Sequence, residues 1–119
     1  MNYIEKLKTK LEPECTEVDG EKVYVCRLSS SQKDQFDIHW AAYRKKTGSK
    51  GVGLRAFVVA FCLCDESGIR EFDSGEDESP SQEFVDSLEQ FLNADAGLIE
   101  PVFEKAATVN GIIEGSEKN

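Results

Sequence analysis

The apolar positions of this chain change rhythm several times, and each change marks an element. Tyr3, Ile4, Leu7 and Leu11 keep helical spacing with Lys6, Lys8 and Lys10 between them. Residues 1–13 therefore read as a short amphipathic helix, or a frayed terminus, that Pro13 ends. The period then shortens. Residues 14–18 and 21–28 are β-rich runs joined by Asp19-Gly20, a dipeptide suited to the positive φ angles of a two-residue hairpin turn. This predicts a hairpin over 14–28 in which Val18 faces Glu21 and Cys15 faces Tyr24, with Cys15 and Cys26 offset diagonally.

Helical spacing returns after Ser29-Ser30-Ser31. Ser29 and Gln32 fit a capping box, and Phe36, His39, Trp40 and Tyr43 line one face of a helix predicted to run to about Lys46. His39 reads as an amphipathic filler at the core edge, because no Ser, Cys or Asp stands at a spacing that would make a catalytic dyad with it. The run from Lys45 to Gly53 is basic and glycine-rich. It lacks the Walker order and no strand precedes it, so it reads as a connector and not as a phosphate cradle.

Residues 54–64 suit either a buried helix or a buried strand. Length favours a helix from about Gly53 to Ser67, closed by Gly68, with Ile69 to Phe72 as a short extended piece beside the hairpin. Ser74 to Ser81 is an acidic loop, with Pro80 near a helix start. Phe84, Val85, Leu88, Phe91 and Leu92 then form an apolar stripe. Asn93 to Gly97 breaks that helix. Ile99, Val102, Phe103 and Ala106 mark another, with Pro101 in its first turn and Asn110-Gly111 as its stop. The expectation is one compact α+β domain: an N-terminal β-hairpin, about four helices over residues 29–111, and a disordered tail at 112–119.

Length and composition agree with one domain. A chain of 119 residues buries roughly 65% of its unfolded surface without needing disulfides or a metal, and seven Phe, three Tyr and one Trp supply large core pieces. No apolar run approaches the ~18 residues of a membrane span, and residues 1–11 do not resemble a secretory signal. The expected location is the cytoplasm, with no membrane partner. The four cysteines read as buried or inert thiols, since Cys62-x-Cys64 is too tight for a usual zinc pair and His39 has no partner spacing. No metal or cofactor is expected.

Charge divides the chain. Residues 1–64 carry eleven basic and eight acidic residues, whereas residues 65–119 carry three basic and fifteen acidic ones. Such a surface repels nucleic acid and attracts a basic protein face, or simply aids solubility. Asp73, Glu76, Asp77 and Glu78 lack the ligand alternation of a calcium loop. No pair of carboxylates or nucleophile with a base suggests catalysis, so a non-enzymatic binding protein is expected.

The order of these motifs resembles the tail assembly chaperones of long flexible-tailed phages and prophages. The residues that carry the likeness are Arg27-Leu28-Ser29 before a Ser-capped aromatic helix and the run Leu54 to Gly68 containing Asp65-Glu66-Ser67-Gly68. Arg70-Glu71-Phe72 and the terminal Val109-Asn110-Gly111 complete it. The likeness covers roughly residues 14–113; the Gly48–Gly53 loop and the long acidic loop at 75–80 depart from the pattern. It implies a protein that binds the tape measure protein, keeps it soluble and helps recruit tail tube protein. Such a protein self-associates and leaves before the virion is finished. It also implies a longer form made by translational frameshift; Glu117-Lys118-Asn119 is compatible with a slippery heptamer, which the nucleotide sequence would test.

A holding protein needs exposed apolar surface bordered by charge. The expected partner-binding surface is Phe84, Leu88, Leu92, Phe103 and Val109, flanked by Glu83, Asp86, Glu89 and Glu104, although for most of these apolar residues the plainer reading is core. Arg44, Lys45, Lys46, Lys50 and Arg55 are the expected self-association cations, set against an acidic face of a second copy. The alternative is an acidic binding module that blocks a basic, nucleic-acid-binding protein surface.

Overall fold

In the computed structural model, which describes residues 2–49 and 51–112, local chemistry sets each boundary. Helix α1 covers Tyr3–Leu7, capped by the Asn2 side chain accepting from the Glu5 N–H at 2.9 Å. It stops six residues short of Pro13, because five residues with no buried face cannot sustain a longer helix. Strands β1 (Glu14–Val18) and β2 (Glu21–Val25) pair antiparallel in the expected register, with Val18 opposite Glu21 and Cys15 opposite Tyr24. Asp19 and Gly20 both take positive φ, at 50° and 80°, as the right-handed twist of a two-residue hairpin requires.

Helix α2 (Ser30–Thr47) opens with the full Ser29–Gln32 capping box and ends at left-handed Gly48. Arg44, Lys45 and Lys46 occupy its last turn, where positive charge is favoured by the helix dipole. The glycines of the next loop are conformational. Gly51 and Gly53 have φ of 116° and 95°, and Gly53 caps α3 directly.

Residues 54–64 resolve as both alternatives in succession. Helix α3 covers Leu54–Cys62, and Leu63–Cys64 forms β3, antiparallel to β2. A single helix to Ser67 was wrong because β2 has a second edge whose backbone groups need partners. The Cys26 N–H reaches the Cys62 carbonyl at 2.8 Å, and Val25 pairs with Leu63. Gly68, at φ 92°, therefore closes a β-turn rather than a helix. Arg70 bridges back to Cys64, so the 69–72 piece lies along β3 and not along the hairpin.

Helix α4 (Gln82–Leu92) starts at Ser81, whose hydroxyl accepts from the Phe84 N–H. Helix α5 (Ala96–Asn110) starts at Asp95, so the break after α4 is shorter than expected and Pro101 falls in the second turn instead of the first. Gly97 is the residue whose carbonyl Pro101 leaves without its helical N–H. Gly111 is left-handed, and the Ile112 N–H returns to the Ala107 carbonyl at 2.8 Å. Ile112 packs against the core and thus belongs to the folded body. The rest of the expected tail, 113–119, lies outside the described residues.

Seven of the nine α3 residues are buried. This helix lies against α4 and α5, and α5 in turn crosses β1 and β2. Phe57 is its centre, with ring centroids 5.1 Å from Phe84, 5.1 Å from Trp40 and 5.5 Å from Phe36. The described residues form a single α+β body: a three-stranded antiparallel sheet in order β1-β2-β3 with five helices. No helix among the described residues is long and apolar enough to cross a membrane.

Candidate functional site

The motif residues sit at the joints of the fold. Asn110 Oδ1 accepts from the Leu28 N–H at 2.7 Å, while its Nδ2 donates to the Cys26 and Ala106 carbonyls at 2.9 and 3.1 Å. One amide thereby ties the end of α5 to the exit of β2, 82 residues earlier. Asp65 Oδ1 accepts from the Ser67 hydroxyl and from the N–H groups of Ser67 and Ile69, at 2.7, 2.9 and 3.0 Å. These bonds, led by the Ser67 hydroxyl, hold its carboxyl below the ordinary carboxylate value. The Arg70 guanidinium lies 3.9 Å from the Phe61 ring centroid, and its Nε donates to the Phe61 carbonyl at 2.7 Å. Burial lowers the pKa of this arginine.

His39 is fully buried, not at the core edge. Its Nε2 lies 2.7 Å from the Asp77 carbonyl and 2.6 Å from Gln35 Nε2, and its Nδ1 has no partner. It fastens the acidic 73–81 loop onto α2. Cys26, Cys62 and Cys64 are buried where β2 meets α3 and β3, and only Cys15 is exposed. Burial pushes the Cys62 and Cys64 thiols up to about 12 and raises Cys26 as well, which removes their nucleophilic form at neutral pH. No three His, Cys, Asp or Glu side chains among the described residues are grouped to hold a metal ion.

The expected partner surface does not hold together. Phe84, Leu88 and Phe103 are core residues with at most 4% of their surface exposed, because the α4 and α5 stripes are consumed in packing on α3. Val109 is half-buried, and Glu83, Asp86, Glu89 and Glu104 are solvent-facing. Leu92 alone of the apolar set is exposed, at 41%. The expected cations also separate. Lys45 and Lys46 face solvent, whereas Arg44 and Arg55 turn to a groove. Arg55 pairs with Glu100 at 2.5 Å and lies over the Phe103 ring. Lys50 lies outside the described residues.

Exposed apolar side chains gather on α1 and around a groove. Tyr3, Ile4 and Leu7 of α1 are 74%, 61% and 65% exposed. The second place is an open groove of about 840 Å³ between α2, the 51–53 loop, the end of α4 and the start of α5. Trp40, Val52, Phe91, Leu92 and Ile99 form its apolar walls, and Lys33, Asp37, Arg44 and Arg55 are its charged groups. Lys33 and Asp37 cancel through an ion pair at 2.9 Å. Arg44 is different: its Cζ lies over the Trp40 ring, 5.8 Å from the centroid, and its Nε is buried with no acceptor. A buried donor left unpaired costs about 1–3 kcal/mol.

Sequence reasoning missed this groove because its walls come from four separate segments. The one local signal was the i, i+4 pair Trp40–Arg44 on the face of α2 that also carries Lys33 and Asp37. Compared with family models, curated proteins and solved structures, the chain matches none.

Proposed function

We propose that this chain is a protein-holding module with the role of a phage tail assembly chaperone. It binds the tape measure protein in the host cytoplasm, keeps it from aggregating, helps recruit tail tube subunits, and leaves before the tail is complete. The observation that carries this reading is the exposed apolar surface. The groove beside Trp40 and Leu92, and the apolar residues of α1, are bordered by charge on an otherwise acidic molecule. Such surface captures an amphipathic helix while charge keeps the holder itself dispersed. The motif likeness adds support of a different kind. Asn110, Asp65 and Arg70 act as fold stitches here, so their shared order speaks for a shared architecture and leaves the binding surface free to vary with the partner.

The experiment is co-expression with the long helical protein encoded just downstream. The partner should become soluble and co-purify only when this chain is present. An unchanged soluble fraction, or the lack of any such neighbouring gene, overturns the reading.

A further inference from the structure

The groove holds a cation with an incomplete set of partners inside a mostly apolar wall. We propose that it is a docking site for an amphipathic helical segment of a partner protein that presents a carboxylate beside a bulky apolar side chain, with Arg44 as the residue that selects the carboxylate. This rests on the reading that the groove is where a partner is held, and it adds what that partner must look like.

Charge complementarity points to the occupant. The molecule as a whole carries a net charge of −9, yet the charged groups lining this concavity are three cations and one acid. Two of the cations are already answered by carboxylates of the same chain, Lys33 by Asp37 and Arg55 by Glu100. Arg44 has no carboxylate within ion-pair distance among the described residues, and its Nε has lost water without gaining an acceptor. The Arg44 guanidinium lies over the Trp40 indole, its Cζ 5.8 Å from the ring centroid, and its planar fork offers an edge to a carboxylate. Because Nε itself is closed off, an incoming carboxylate would pair with the terminal nitrogens of that fork, in a partly desolvated site where such bonds are strongest. Beside it, Leu92 and Val52 are exposed at 41% and 78%, which gives an apolar anchor its contact surface.

Trp40 is the only tryptophan of the chain and lines the groove, so its emission reports occupancy. The probe is a blocked alanine-based helix of about four turns, carrying Phe and Leu four residues apart with Glu on the same face, and its Gln counterpart. The Glu peptide should shift Trp40 emission saturably. The Gln peptide should bind about tenfold more weakly or worse, and rising salt should narrow that gap. Arg44→Gln should make the two peptides equal while retaining apolar binding, and Arg44→Lys should restore part of the preference.

Equal binding of both peptides by the unaltered chain, or no response from either, overturns the proposal. It is also overturned if Trp40 emission changes with protein concentration alone, which makes a second copy the occupant. A shift on removal of residues 113–119 alone has the same force, since it makes the chain its own occupant. Peptide selectivity without rescue in the co-expression assay would sink the chaperone role and keep this site. Rescue without selectivity would place the partner elsewhere on the molecule.

Discussion

Asn110→Ala tests whether one side chain closes the fold. The amide bridges Leu28 N–H, Cys26 C=O and Ala106 C=O, and alanine removes all three bonds while leaving the helix intact. Two of the abandoned groups, the Cys26 acceptor and the Leu28 donor, belong to a buried and a half-buried residue. At about 1–3 kcal/mol for each unpaired buried group, the gross loss is about 2–6 kcal/mol. Alanine's better helix propensity returns about 0.5 kcal/mol. The net destabilisation is then about 2–5 kcal/mol, or a fall in Tm of about 8–20 °C for a domain of this size. Urea unfolding followed by far-UV circular dichroism and by Trp40 emission measures it, and the slope of the transition should not change. Asn110→Asp keeps the acceptor for Leu28 and gives up the donor, so it should fall between the two. A loss below about 0.5 kcal/mol in Asn110→Ala would show that water replaces the amide at no cost, and the stitch would have to be abandoned.

Three further outcomes follow from the same kind of reasoning. A thiol reagent at about pH 8 should modify Cys15 alone in the folded chain and reach Cys26, Cys62 and Cys64 only after denaturation; rapid reaction of more than one thiol refutes their burial. Gly53→Ala forces a side chain onto a φ of 95° and places a Cβ 3.3 Å from Leu92 Cδ2, so a loss of about 1–2 kcal/mol is expected in a melting experiment, and a neutral result contradicts the loop geometry. The Asp65 carboxyl is lowered on folding, so its contribution is full above its ordinary value of 3.8 and fades as pH falls through the lower folded value. Asp65→Asn should consequently flatten the decline of Tm from about pH 5 to about pH 2, and an unaltered slope would show that the turn does not depend on the charge.

Local signals were readable wherever a few neighbouring residues decide the outcome. The Asp19-Gly20 turn, the Ser29–Gln32 box and the Asn110-Gly111 stop all appear where their chemistry places them. Residues 54–64 were harder because burial on every side erases periodicity. What divides them is the hydrogen-bonding need of β2, a strand about 40 residues away in sequence. The partner surface was misassigned for the converse reason. An apolar stripe states that a helix has a face to bury, but not whether the same chain supplies the cover, and α3 covers Phe84, Leu88 and Phe103. The groove's Arg44 was named for its charge, while its unpaired Nε depended on the fold around it.

The central position of α3 also governs how this chain can be divided. A nine-residue helix with seven buried residues takes its cover from α2 and the hairpin on one side of the sequence and from α4 and α5 on the other. Neither half can therefore assemble a core alone, and severing the 48–53 loop should yield two fragments that fold only on recombination. Inserted tags or reporters belong elsewhere, at the exposed residues 78–79, between the Asp77 carbonyl that meets His39 and the Ser81 hydroxyl that donates to the Asp73 carbonyl.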